Sequence, residues 1–160
     1  MRRGVRLGID VGKARVGVAR SDRDGLLATP VETVQRRGGD LEPVLARIAA
    51  IAAELDAIEL VVGLPIAMSG RDTPSTDDAR MVGDRLAEGG VPVRMVDERL
   101  TTVSAQSALH AAGRDTRRSR SVIDQVAAVI LLQHALDAER ARGEAPGVLL
   151  EPKRKVPSGP

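Results

Sequence analysis

The 160-residue chain has no cysteine and no phenylalanine, tyrosine or tryptophan. The absence of cysteine excludes disulfides, thiolate metal sites and thiol nucleophiles, and it suits a reducing cytosol. Without aromatic rings the chain cannot grip single strands by stacking bases, which argues against RNA-recognition sheets and OB-fold stacking platforms. Any nucleic acid would have to be held through phosphate contacts and shape. The longest wholly apolar run, Val126 to Leu132, is seven residues, far below the roughly 20 that a membrane-spanning helix needs. Met1-Arg2-Arg3 is not followed by an apolar signal stretch, so no export signal is read. The expectation is a cytoplasmic protein with no membrane partner.

Apolar residues make up 42% of the chain and charged residues 29%, the composition of a globular protein of one domain. The net charge is only +2, but it is unevenly spread. Residues 1–39 carry nine bases against four acids, residues 40–98 five against twelve, and residues 99–160 ten against six. Basic ends thus flank an acidic middle. Arginine supplies 21 of the 24 bases, and its planar fork suits phosphate.

Val5, Leu7, Ile9 and Val11 alternate as in a strand, and a break at Gly12 to Ala14 leads to a second strand, Arg15 to Arg20. After the turn cluster 21–25, Leu26 to Val34 resumes an extended pattern, with Pro30 marking an irregularity or an edge. The period then changes. Leu41, Val44, Leu45, Ile48, Ala52 and Leu55 form a helical stripe with Asp40 as its N-cap. A strand over Ile58 to Val62, a helix over Thr76 to Glu88 and a strand over Val91 to Asp97 follow. Next come a helix over Thr102 to Ala112, a basic loop over Arg114 to Arg120 and a last helix over Val122 to Arg142. Residues 143–160 hold four of the nine prolines and Lys153-Arg154-Lys155, and are expected to form a flexible basic tail beyond a domain spanning 1–142. Three hairpin strands followed by alternating helices and strands predict an α/β fold, a mixed five-stranded sheet flanked by helices. This is the element order of the ribonuclease H-like fold.

Three acidic positions stand out. Asp10 interrupts an apolar strand between Gly8 and Gly12, where a carboxylate is costly unless a cation or hydrogen bonds compensate it. Asp97-Glu98 ends another strand; side chains alternate there, so only one of the two can join Asp10, and periodicity does not say which. Asp124 shares the helical stripe of Ala127, Ala128 and Leu131, an odd place for an acid, although a carboxylate near a helix N-terminus is also favourable in itself. Together they would make an oxygen-only cluster of the kind Mg²⁺ or Mn²⁺ favours. Thr101 and Thr102 follow the second acidic position and one of them would cap the next helix. Arg114, Arg117, Arg118 and Arg120 crowd one loop, which reads either as a solvated surface or as a phosphate clamp. Gly63-Leu64-Pro65 reads either as a strand-ending turn or as backbone aimed at a phosphate. Gly12-Lys13 lacks the spacing of a P-loop.

Four segments resemble the YqgF/RuvX family: residues 7–22 (LGIDVGKARVGVARSD), 61–70 (VVGLPIAMSG), 96–102 (VDERLTT) and 122–132 (VIDQVAAVILL). They occur in the family's order and cover the chain from about residue 5 to 140. The resemblance implies a metal-dependent ribonuclease H-like nuclease acting on structured nucleic acid in the bacterial cytoplasm. It points first to 5′-end processing of pre-16S rRNA, and alternatively to resolution of Holliday junctions. It aligns Asp10, Glu98 and Asp124 with the family's acids, and so prefers Glu98 to Asp97 as metal ligand. Arg15 and Arg99 match basic motif positions. With Thr101, Thr102, Arg117 and Arg118 they form the expected substrate-binding set. The chain departs from the family at Lys13-Ala14, where relatives often carry Thr-Lys, and in lacking aromatics. A monomer or a homodimer fits, and a non-catalytic RNA-binding assembly factor on the same fold is the competing expectation.

Overall fold

The computed structural model describes residues 1–100 and 120–150, with side chains over 1–99 and 125–150. Strands β1 (Arg6–Val11), β2 (Arg15–Ser21) and β3 (Ala28–Gln35) form an antiparallel meander. Helix α1 (Glu42–Glu54), strand β4 (Glu59–Leu64), helix α2 (Pro74–Ala87) and strand β5 (Val93–Asp97) follow. A single 3-10 turn (Glu98–Leu100) leaves β5, and α3 (Arg120–Arg142) leads to a short β6 (Val148–Leu150). The sheet order is β3-β2-β1-β4-β5-β6, with β1, β4 and β5 parallel.

Among the described residues the sheet therefore has six strands, not five. The additional strand lies in the stretch read as tail: β6 pairs antiparallel with β5, Met95 opposite Val148 and Val93 opposite Leu150. The third strand also starts later than its apolar run. The Asp22 carboxylate accepts the Leu26 and Leu27 N–H groups at 2.8 and 2.9 Å, which holds both leucines in the turn and leaves them exposed. Pro30 sits in an edge strand beside a register shift at Val18/Ala19. Asp40 accepts from the Glu42 N–H at 3.1 Å, although Leu41 occupies the N-cap position of α1. Helix α2 starts at Pro74, two residues earlier than expected, because Thr73 and Thr76 form a capping box. Arg120 opens α3 instead of closing the basic loop. The expected helix over 102–112 and the arginines of 114–118 lie outside the described residues.

Alternation divides the sheet into two faces. Leu7, Ile9, Val16, Val18, Leu60, Val62 and Val93 pack beneath α1 and α2 with Val44, Ile48, Ile51, Val82 and Leu86. The other face is covered by α3, whose Ala128, Leu131, Leu132, Ala135 and Leu136 meet Ala19, Val61 and Val96. Small residues on the sheet let this helix come close. A Cβ on Gly8 would lie 2.8 Å from both the Ala128 carbonyl oxygen and Leu132 Cβ.

The end of this face away from Asp10 carries charges instead of an apolar lining. Arg6 Nη2 donates to Glu139 Oε2 at 2.9 Å, and Arg2 Nε to Glu139 Oε1 at 2.6 Å. Glu59 accepts from Arg2 at 3.0 and 3.2 Å and from Arg94 at 3.1 Å. Burial pushes the Glu139 carboxyl up, but Arg2 and Arg6 outweigh it and hold the group below the usual carboxylate range. This network pins the C-terminal half of α3 across β1, β4 and β5.

Candidate active site

Asp10 falls on the α3 face because Arg6, Gly8 and Asp10 alternate with the buried Leu7 and Ile9. It sits near the C-terminal end of β1, on the side where α/β sheets bind ligands. Glu98 leaves β5 on that same face, one position beyond Asp97. The two carboxyls share a hydrogen bond, although β4 separates their strands. Burial raises the Glu98 carboxyl above its ordinary value; the bond to Asp10 opposes the shift, and the nearby Asp97 charge adds to it. Two carboxylates in contact are stable only with a proton or a cation between them. A half-buried, oxygen-only pair of this kind fits a hard divalent ion.

Asp97 has the opposite environment. Its carboxylate accepts from Arg99 Nη2 at 2.7 Å, from Arg99 Nε at 3.1 and 3.2 Å and from the Arg99 N–H at 2.9 Å. The Arg99 guanidinium holds Asp97 below the usual carboxylate range. The ambiguity left by periodicity is thus resolved geometrically: Glu98 meets Asp10, and Asp97 is committed to Arg99.

Arg15 opens β2 two residues before Gly17, the register partner of Asp10, so it belongs to the same face and is half-buried. Arg99 lies on the Asp97 side, beside the β4–α2 loop: a Cβ on Gly70 would sit 3.7 Å from its Nη1. Asp124 is in the early turns of α3, four residues before Ala128, whose carbonyl overlies Gly8. Its side chain lies outside the described residues, as do Thr101, Thr102, Arg117 and Arg118 entirely.

Sequence reasoning missed the brace beneath this site. Arg36 Nη1 donates to the Gly12 carbonyl at 2.9 Å, and its guanidinium takes Asp78 of α2 in a fork at 2.7 and 2.8 Å. The hairpin that follows Asp10 is thereby tied to α2. Arg36 in turn holds the Asp78 carboxyl low, overcoming its partial burial. No sequence signal announced this contact, because its partners lie 42 residues apart.

The family described as "RuvX: Holliday junction resolvase" matches residues 4–138. The chain belongs to the RuvX family. It is 60% identical over 157 residues to a Clavibacter michiganensis protein described as "Putative pre-16S rRNA nuclease", covering 98% of this chain and 96% of that one. A Nocardioides protein with the same description is 56% identical over 158 residues, covering 94% and 99%. Among solved structures, Thermus thermophilus RuvC in complex with a Holliday junction substrate aligns with a TM-score of 0.60 at 15% identity, covering 90% of this chain and 99% of that one. Thermus thermophilus RuvC on its own aligns with a TM-score of 0.55 at 18% identity. At such identities these structures establish the fold, which is ribonuclease H-like as the element order predicted. With its family, this RuvX chain is a nuclease that hydrolyses phosphodiester bonds. No helix among the described residues is long and apolar enough to cross a membrane.

Proposed function

We propose that the chain is a divalent-metal-dependent nuclease that processes the 5′ end of pre-16S rRNA in the bacterial cytoplasm, with Asp10, Glu98 and Asp124 as its metal ligands. The observation that carries the site is the contact between the Asp10 and Glu98 carboxyls across β4. The substrate follows from the relatives described as pre-16S rRNA nucleases, at 60 and 56% identity over nearly the whole chain.

Asp10 and Glu98 present oxygen donors from two different strands, so the sheet itself fixes their spacing. Asp124 would add a third donor from α3, which the Gly8 contact holds close to β1. Mg²⁺ or Mn²⁺ bound there would supply Lewis acidity, ionising a water near neutral pH and offsetting charge on the scissile phosphate. Arg15, on the same face, supplies a cation for the phosphate backbone. Arg99, in the turn after β5, and Thr101, Thr102, Arg117 and Arg118, which lie outside the described residues, complete the proposed substrate-binding set. The sheet end provides no aromatic platform, so the substrate is read as a folded backbone and not base by base.

The family description and the RuvC likeness favour a four-way DNA junction as the second reading. Incubating the protein with a 5′-extended 16S precursor fragment, and separately with a four-way junction, in Mg²⁺, Mn²⁺ or EDTA separates the two. Metal-dependent cutting of the precursor fragment alone is the expected result. Cutting of the junction alone transfers the assignment to DNA. Tight, salt-sensitive binding of RNA with no cutting in any metal replaces the enzyme with an assembly factor.

A further inference from the structure

Asp10 and Glu98 come from strands that are not neighbours. β4 runs between β1 and β5, and adjacent strands lie about 4.8 Å apart, so the carboxyls span a gap of roughly two strand spacings. They can meet only above the face of β4. The residue beneath the meeting point is fixed by register. Ile9 pairs with Val62 and Gly63 pairs with Val96, which places Gly63 between Asp10 and Glu98 on the α3 face.

Gly63 is not among the glycines with positive φ, so its backbone could hold any residue. What the position cannot hold is a side chain. A Cβ there would fall on Glu98 Oε1, 3.2 Å from Glu98 Cδ and 3.1 Å from Leu131 Cδ2. The space that any other residue would fill is the space the Glu98 carboxyl occupies on its way to Asp10. Leu131 closes the same spot from above, so Glu98 cannot simply ride higher.

We infer that Gly63 is a positioning residue of the active site: its missing side chain is the channel through which Glu98 crosses β4 to reach Asp10. The inference rests on the nuclease reading only for its catalytic consequence. The crossing itself can be tested without any reaction.

Urea midpoints measured by far-UV circular dichroism, without metal, give the first test. Gly63→Ala lowers the midpoint in the wild-type background, and Glu98→Ala removes at least half of that drop because the added Cβ then has room. An equal drop in both backgrounds overturns the inference. Relief by Leu131→Ala and not by Glu98→Ala also overturns it, assigning Gly63 to helix packing alone. The second test is cleavage of the precursor fragment in Mn²⁺. Gly63→Ala lowers kcat by about tenfold or more, as expected for a displaced reacting group. It also raises the Mn²⁺ concentration for half-maximal rate and leaves KM for RNA within about twofold, since it removes no substrate contact. Wild-type kcat and metal dependence in this variant overturn the inference. If the wild-type protein cuts nothing, the nuclease reading fails, and the urea midpoints then decide the crossing by themselves.

Discussion

Removing the Glu139 carboxylate leaves a guanidinium charge stranded inside the protein. The Arg6 and Glu139 side chains are 1% and 6% exposed and meet at 2.9 Å. Arg6 is poorly placed to lose this partner. Among the described residues its Nε is the one buried side-chain polar atom without a hydrogen bond, and the Gly4 and Arg2 carbonyls are its other acceptors. Breaking a buried pair from one side costs about 3–5 kcal/mol. For a domain of 160 residues that corresponds to a fall of roughly 9–15 °C in Tm for Glu139→Ala. Replacing both partners removes the stranded charge, because Arg2 is 42% exposed and can return to water. Arg6→Met/Glu139→Leu should therefore recover most of the loss, to within about 1–2 kcal/mol of wild type. The assay is thermal and urea unfolding by far-UV circular dichroism, since a chain without Trp or Tyr offers no intrinsic fluorescence. A Tm drop below about 3 °C for Glu139→Ala, or a double variant no better than the single, would refute the reasoning.

Other outcomes follow from the same geometry. Arg36 holds the Asp78 carboxyl low, so the stability it contributes is complete above the unfolded carboxylate pKa and is lost as pH falls through the lower folded value. Asp78→Asn should be less stable than wild type at pH 7 and converge with it once the pH falls below the depressed folded value, read from urea midpoints. Glu98 has the opposite sign: burial raises its carboxyl, so ionising it costs stability once the pH exceeds its ordinary value. Glu98→Gln should raise the metal-free urea midpoint at pH 7, with the advantage vanishing under acid conditions; a lower midpoint at pH 7 would contradict the burial argument. Gly8→Ala forces a Cβ against the Ala128 carbonyl and Leu132 and should cost about 1–3 kcal/mol by overpacking, measured by equilibrium unfolding.

The elements that sequence reasoning placed well are those whose signal is local. Alternation in Val5 to Val11 and the 3-4 spacing of Val44, Ile48 and Ala52 each report which face is buried, and the structure buries those faces, with Ile51 added to the helix's stripe. Strand β6 escaped notice because three apolar residues among prolines and glycines carry no period. They become a strand only by pairing with β5. The Leu26-Leu27 pair misled for the converse reason: its apolar pattern is real, but the Asp22 carboxylate captures its N–H groups first. At the site, alternation correctly put Asp97 and Glu98 on opposite faces, yet it could not say which face held Asp10. Resemblance pointed to Glu98 as the ligand, which stands as a proposal; the structure sets its carboxyl against Asp10. Arg6 and Glu59 are charges within apolar strands that the sequence reading did not single out, and the structure buries both. Their partners were not legible either, because Glu139 is 133 residues from Arg6 and Arg94 is 35 from Glu59. Asp124 keeps the role its motif implies as a proposal, resting on its place in α3.

The central claim is that three carboxylates, from β1, from the turn after β5 and from α3, together support metal-dependent hydrolysis. The most direct measurement is single-turnover cleavage of a 5′-extended 16S precursor fragment in Mg²⁺ and Mn²⁺ by Asp10→Asn, Glu98→Gln and Asp124→Asn, each checked for folding by far-UV circular dichroism. All three should stay folded and lose at least about a hundredfold in rate, the scale expected when a group stabilising transition-state charge is removed. Cleavage at the wild-type rate by any folded member of the trio would remove that residue from the site, and for Asp10 or Glu98 would contradict the account.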